Sequence, residues 1–247
     1  MFLLLALLTT HPLFSEAPAI WNPATAKLSG TGYTLQRFTL RQPHTSAGES
    51  IDQLLSIRHG SATLSIGQRR STIAAGDLVR IPHHTAYTIQ PAAAPLEFIA
   101  IQIKPLAPSR KAPAGIRPAP GQMGDVVTKA EIDSTIARTE ANAPLHTQDN
   151  FTVKYVLFKG RTGPWEAHAN CTDVYLVQTG AGSLQLGGTI VNPKQESEGE
   201  PRGTAVTGAR NHNVSAGDIA VIPRNVAHHM NPTTLPLAYL LIKVWSE

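Results

Sequence analysis

Gly217-Asp-Ile-Ala-Val-Ile-Pro223-Arg-Asn-Val-Ala-His228 decides the fold, because an earlier stretch, Gly76-Asp-Leu-Val-Arg-Ile-Pro82-His-His-Thr-Ala-Tyr87, follows the same pattern. Gly-Asp, a short apolar run, Ile-Pro and a later Ala coincide without a gap. Upstream, Leu54-Leu-Ser-Ile-Arg-His-Gly60 matches Val174-Tyr-Leu-Val-Gln-Thr-Gly180. Each half ends in an aliphatic run, Phe98-Ile-Ala-Ile-Gln-Ile and Ala238-Tyr-Leu-Leu-Ile-Lys. An internal duplication accounts for all three correspondences.

The repeated unit reads as all-β. Tyr33 to Leu40 alternates as a strand does, and residues 51–57, 62–66, 77–81, 86–89 and 96–103 are further apolar or alternating runs punctuated by glycines. In the second half, residues 151–158, 172–177, 183–186, 213–215, 218–222 and 237–244 read the same way. A charged fraction of 15% with 19 glycines and 19 prolines among 247 residues suits many short strands joined by turns. Between the halves, residues 104–123 hold five prolines, which cannot donate to a central sheet, and predict an extended surface linker. Thr128-Lys-Ala-Glu131 is a capping box, with Val127 and Ile132 placed as its hydrophobic staple, and opens a helix running to about residue 141. Its expected role is to cover a barrel end or edge. The expected organisation is a leader at 1–19, a first barrel at 28–104, linker and helix at 105–150, and a second barrel at 151–247.

The first residues, Met-Phe-Leu-Leu-Leu-Ala-Leu-Leu, are long enough for a signal-peptide core and too short to span a bilayer, with Ala17-Pro-Ala19 as a small-residue cleavage site. No Lys or Arg precedes Lys27. The expectation is export to the periplasm or beyond, against a cytoplasmic protein whose first residues form a buried strand. A single cysteine, Cys171, excludes an intrachain disulfide framework. The net charge of +4 comes from scattered residues, and the cluster Arg110, Lys111 and Arg117 lies in the linker without aromatics, so no nucleic-acid partner is expected.

The chemistry concentrates in Trp165-Glu-Ala-His-Ala-Asn-Cys-Thr-Asp-Val-Tyr-Leu-Val-Gln-Thr-Gly180. Residues two apart on a strand share a face, so Glu166 and His168 can both aim inward. Asp173 follows a short turn, in which Cys171 is placed as filler. Gly217-x5-Pro223-x-Asn225-x2-His228 resembles the second motif of the cupins, with Asn where glycine is usual. Glu166-x-His168-x4-Asp173-x6-Gly180 resembles the first, with Glu for the first His and Asp for the usual Glu. Segments Gly187 to Lys194 and Gly199 to Gly203 are also similar to uncharacterised bacterial cupin-domain proteins. The resemblance covers residues 33 to 244 and implies a bicupin: two tandem cupin-type jelly-roll barrels with one short connecting helix. It also implies that His228 is a metal ligand, whereas His229, of opposite parity, faces out.

His168, Asp173, His228 and Glu166 then form a hard, oxygen-rich donor set, suited to Fe(II) or Mn(II), with Zn(II) and Ni(II) open. Glu166 is either a fourth ligand or a general base. In the first half the aligned positions fall on Ser46, Gly48, Gln53 and Tyr87, a poor set for a metal. His44, Glu49, His83 and His84 miss the spacing. The second half carries about twenty extra residues before Gly217, a loop in which Lys194, Arg202 and Arg210 could meet an anionic substrate. Two functions follow: a metal-dependent enzyme of dioxygenase, decarboxylase or isomerase type, or a non-catalytic protein that captures a small ligand or metal. Either has a small molecule as partner, and the barrel edges leave room for a homo-oligomer.

Overall fold

Gly-Asp turns organise both halves with the same hydrogen bonds. Gly76 N–H donates to the Ile57 carbonyl and Gly217 N–H to that of Val177, each at 2.9 Å. A carboxylate oxygen of Asp77 accepts from Ala74 N–H, and one of Asp218 from Ser215 N–H, each at 2.8 Å. The two glycines have φ of 95° and 96°, in the left-handed region where a Cβ is strained. The duplication seen in the residues is therefore a duplication of backbone.

The computed structural model describes residues 19–21, 27–93, 95–106, 126–138, 143–160, 162–197 and 199–245. Within them the first half forms a six-stranded sheet in the order Val126–Val127, Leu78–Ile81, Asp52–His59, Leu96–Ile103, Tyr33–Leu40, Lys27–Gly30. Opposite lies a four-stranded sheet, His44–Ser46, Tyr87–Pro91, Ser61–Ile66, Arg69–Ala74. The second half repeats the larger order as Ala19–Trp21, Ile219–Ile222, Cys171–Leu186, His228–Trp245, Phe151–Phe158, Ala143–Thr147. Leu55, Ile57, Ile73 and Phe98 belong to the core of the first half; Val156, Tyr175, Leu184 and Tyr239 to that of the second.

A third core joins the halves. Alternation sends Leu54, Ile99 and Ile101 to the outer face of one large sheet, and Val153, Val174, Leu240 and Ile242 to that of the other, and all pack together. Asp52, 1% exposed, ties the halves by accepting from Asn150 Nδ2 (2.7 Å) and Gln148 Nε2 (3.2 Å). The halves also exchange edge strands. Trp21, ahead of the first half, pairs with Ile219 of the second, and Val127, ahead of the second, pairs with Leu78 of the first.

The capping box forms as the residues predict. Thr128 N–H donates to Glu131 Oε2 at 2.7 Å, and Glu131 N–H to Thr128 Oγ1 at 3.2 Å. The helix Lys129–Arg138 packs Ile132 and Ile136 on the shared core, together with Val127. Several boundaries differ from expectation. Residues 172–177 and 183–186 belong to one strand, Cys171–Leu186, whose register shifts between Val177 and Gly182 where it leaves one partner region for the next. Ala143–Thr147, assigned to the linker, is a strand hairpinned on Phe151–Phe158. Lys27–Gly30, His44–Ser46 and Arg69–Ala74, too polar to read as strands, are held by pairing, with Leu28 and Ile73 packed on the cores. The expected linker between residues 107 and 125, with its basic cluster, and the leader up to residue 18 lie outside the described residues. Ala19, the last residue of that expected leader, begins a strand. No helix among the described residues is long and apolar enough to cross a membrane.

Candidate metal centre

Three chain segments meet at one end of the second half. Trp165–Glu166 lies antiparallel between the strand His228–Trp245 and the short strand Pro201–Gly203, so that Glu166 registers with His228 on one side and Arg202 on the other. His168 follows two residues on. Its carbonyl accepts the Asn225 N–H at 2.7 Å, so the turn of the second motif holds the histidine of the first. Asn225 itself has φ of 61°, the left-handed conformation that explains why glycine or asparagine suits this position. Asp173 enters from Cys171–Leu186, in register with Ile222 and Lys243.

Glu166, His168 and His228 each offer one donor atom, all within 4.8 Å of one another. Nε2 of His228 lies 3.6 Å and Nε2 of His168 4.0 Å from Glu166 Oε1. Asp173 Oδ2 lies 3.4 Å from His168 Nε2 and 3.7 Å from His228 Nε2. These separations sit just above the roughly 3.0–3.4 Å between ligands bound at about 2.1 Å to one ion. The donor atoms lack other partners: His168 Nε2, His228 Nε2 and Asp173 Oδ2 are buried without a hydrogen bond. Three orphaned polar atoms facing one another in a protein interior are costly unless something binds between them. The other ring nitrogens are committed. His168 Nδ1 donates to Glu200 Oε2 (2.7 Å) and His228 Nδ1 to the Val226 carbonyl (3.0 Å), which leaves the Nε2 lone pairs free to bind a cation. The residues fit a divalent metal.

Their electrostatics fit as well. Burial alone raises the carboxyl pKa of Glu166, but the imidazole of His228 3.6 Å away, then the charges of His168 and Lys243, hold it at about 2. Burial raises that of Asp173 too, but the charges of Lys243 and His168 bring it well below the usual carboxylate range. Lys243 Nζ is 3.2 Å from Asp173 Oδ1, and this pairing outweighs burial to push the ammonium pKa up. His168, lowered by burial, is raised overall to about 9 by Asp173 and Glu200. The cluster is thus an anionic nest that holds a proton on His168 when no other cation is bound.

A cavity of about 220 Å³ opens onto the cluster. Stacked Tyr175 and Tyr239 (4.2 Å between centroids) floor it, and Phe158, Met230 and Leu241 line its apolar side. The roughly twenty-residue insertion contributes directly. Ala167 N–H donates to the Pro201 carbonyl and Ala169 N–H to that of Gly199. Glu200 meets His168, while Arg202 spans Glu166 Oε2 (3.2 Å) and Glu196 Oε2 (2.5 Å).

All four residues singled out in the sequence come together here. Glu200, though inside the Gly199 to Gly203 segment, and Lys243 were not found as site residues, because each reaches its partner only through tertiary folding, across 32 and 70 residues. Cys171 is not in a turn: it is the first residue of its strand, 1% exposed, with Sγ 3.7 Å from Asp173 Oδ1. Burial pushes its thiol pKa well up, so it is a neutral neighbour of the cluster. His229 turns away from the cluster yet is not simply outward. Its ring stacks on Trp165 at 5.3 Å, and Nε2–H donates to the Gly163 carbonyl at 3.0 Å. Lys194 and Arg210 are exposed on the insertion. In the first half, Ser46 and Tyr87 pair across strands, and the buried Tyr87 hydroxyl is hydrogen-bonded to Gln53 and Ser46. His83 instead approaches Asp52 through Nδ1 at 3.2 Å.

Solved structures share this architecture. A cupin 2 conserved barrel domain protein from Leptotrichia buccalis aligns with a TM-score of 0.59 at 20% identity, over 88% of this chain and 86% of its own. Salicylate 1,2-dioxygenase from Pseudoaminobacter salicylatoxidans, in a structure of its adducts with gentisate, aligns at 0.66 and 11% identity, over 96% and 84%. The 11S globulin of Wrightia tinctoria, described as revealing an auxin binding site, aligns at 0.55 and 12%, over 92% and 79%. No protein-family model matches the sequence, and no curated protein matches it. The chain has the cupin fold.

Proposed function

We propose that the chain is a bicupin with one divalent metal, held in its second half by His168, His228 and Glu166 with Asp173, and that it acts on a small organic molecule admitted by the cavity beside them. The observation that carries this reading is that His168 Nε2, His228 Nε2 and Asp173 Oδ2 are buried without a hydrogen bond, with Asp173 Oδ2 3.4 and 3.7 Å from the two nitrogens. Two imidazoles with carboxylates favour Fe(II) or Mn(II) over a thiolate-preferring metal. Such an ion supplies Lewis-acid polarisation of a carbonyl or carboxylate, or a site for dioxygen. The first half serves the shared core, and export through the leader belongs to the same reading.

The residues around the metal have separable tasks. Glu166 is a ligand and not a general base: a carboxylate held at about 2 and bound by Arg202 is a weak proton acceptor near neutral pH. Glu200 orients His168. Lys243 neutralises Asp173, and Tyr175 and Tyr239 exclude water from one side of the cavity. That arrangement binds and polarises a ligand whether or not turnover follows. A protein that only captures its ligand is the alternative, and similarity in fold to both a dioxygenase and an 11S globulin favours neither.

Metal analysis of purified protein tests the first step. One Fe or Mn per chain, lost in His168→Ala/His228→Ala, is expected; protein that neither retains nor takes up a divalent ion refutes the reading. Oxygen consumption and product formation with phenols and 2-oxo acids then separate catalyst from binder. N-terminal sequencing of the exported protein tests the leader.

A further inference from the structure

Lys154 lies on the strand Phe151–Phe158, whose alternate residues Val156 and Phe158 point into the core of the second half. By the same alternation Lys154 points there too, and it lines the cavity with Glu166, His168 and His228. A lysine is a rare choice for the inside of a barrel, since an ammonium out of water is costly without a partner. The other lysine and the arginine that line the cavity each have one. Lys243 is bound to Asp173, and Arg202 to Glu166 and Glu196. The Lys154 side chain makes no hydrogen bond or ion pair among the described residues; it meets Lys243 and, with opposite sign, Asp173 and Glu166 only as more distant charges.

The cavity is small, below the ~300–1,000 Å³ of pockets that take drug-sized ligands. Its walls divide into an apolar side (Phe158, Met230, Leu241, Tyr239) and the polar cluster. Each of the four carboxylates near the cluster already has a contact: Asp173 with Lys243, Glu166 and Glu196 with Arg202, Glu200 with His168. Lys154 is thus the ammonium of the cavity lining that no carboxylate touches, beside a pocket otherwise suited to a compact apolar body.

We propose that Lys154 anchors the ligand, and that the ligand is a small organic monocarboxylate whose carboxylate meets the Lys154 ammonium while its apolar body lies along Tyr239, Leu241 and Met230. This rests on the metal-site reading above for where the rest of the molecule sits. Of the insertion's three basic candidates, Arg202 is consumed in holding Glu166 and Glu196, and Lys194 and Arg210 are exposed. The anchor is instead a residue of the barrel wall, paired on both sides in the sheet. A lysine here also selects: a neutral amide of the same skeleton leaves the ammonium unpaired and is rejected.

Calorimetric titration of the manganese-loaded chain with matched acid and amide pairs (benzoate and benzamide, salicylate and salicylamide, pyruvate and pyruvamide) tests this. At least one acid is expected to bind wild type at least tenfold more tightly than its amide. Lys154→Met should weaken that acid roughly ten- to hundredfold and leave the amide unchanged, and Lys154→Arg should recover most of the loss. Metal content and melting temperature are measured on every sample. Metal retained with no acid preferred over its amide, or with Lys154→Met binding the acid as wild type does, overturns the anchor and leaves the metal reading intact. A chain that takes up no metal overturns that reading instead, and the anchor is then judged on the same titrations of the metal-free protein.

Discussion

Each imidazole of the cluster is aimed by a bond on its far side. His228 is held by a backbone carbonyl two residues away, but His168 depends on Glu200, a half-buried carboxylate from the insertion. Glu200→Gln keeps the shape and weakens the acceptor, so metal affinity should fall about ten- to hundredfold in a chelator competition, with folding intact. The charges also set a pH dependence for the metal-free protein. Glu166 is lowered from 4.5 to about 2, so its contribution to stability is present above about pH 4.5 and is lost as pH falls through about 2. His168 is raised from 6.5 to about 9, so its contribution is complete below about pH 6.5 and is lost as pH rises through about 9. Thermal melts of metal-free protein should therefore show a maximum between about pH 4.5 and 6.5, and Glu166→Gln should flatten its acid side. The ligand residues were legible because their spacing is local and strand-like. Glu200, Lys243 and Lys154 were not, because a lone charged residue has no meaning until the sheet decides which side it faces.

Turns, more than strands, fix the positions of these side chains. Asn225 occupies the left-handed conformation and its N–H holds the His168 carbonyl, so one residue links the two motifs. Asn225→Gly should be tolerated within a few tenths of a kcal/mol. Asn225→Val should cost about 1–3 kcal/mol and also weaken metal binding, as read by denaturant melts and metal titration side by side. The equivalent position in the first half, His84, has φ of 56°, which shows that the turn survives where no ligand histidine follows it. The sequence displayed both turns and the capping box plainly, since Gly, Pro and Asn mark special backbone directly. It hid the continuity of Cys171–Leu186, where Gly180 and Gly182 read as an interruption but form the bend. A Cβ at Gly180 would lie 2.4 Å from the Pro236 carbonyl oxygen, so the bend needs glycine for closeness as well as for its φ of 74°.

Because the largest apolar cluster contains residues of both halves, the chain should unfold as one unit. Calorimetry should give a single transition with matching calorimetric and van't Hoff enthalpies. Trp21→Ala, at 4% exposure in that shared cluster, should lower stability by about 3–5 kcal/mol without splitting the transition, even though Trp21 pairs only with the second half. Two transitions would mean that the halves are energetically independent. The duplication could be read from the residues, and so could the all-β character. The shared core could not, because a strand buried on both faces looks the same whether the second face meets a helix, a sheet or a twin.

The exchange of edge strands bears on how the protein is made. Ala19–Trp21 leaves the ribosome about 200 residues ahead of Val221, the partner of Ala19. Throughout that interval it is an unsatisfied edge, and the sheet that carries Asp173 cannot be completed. Anything that grips the nascent N-terminus, whether a chaperone or an export channel, thereby delays closure of the barrel at the other end of the chain. For the proposed metal site, capture would then wait on the release of residues that lie outside the cluster.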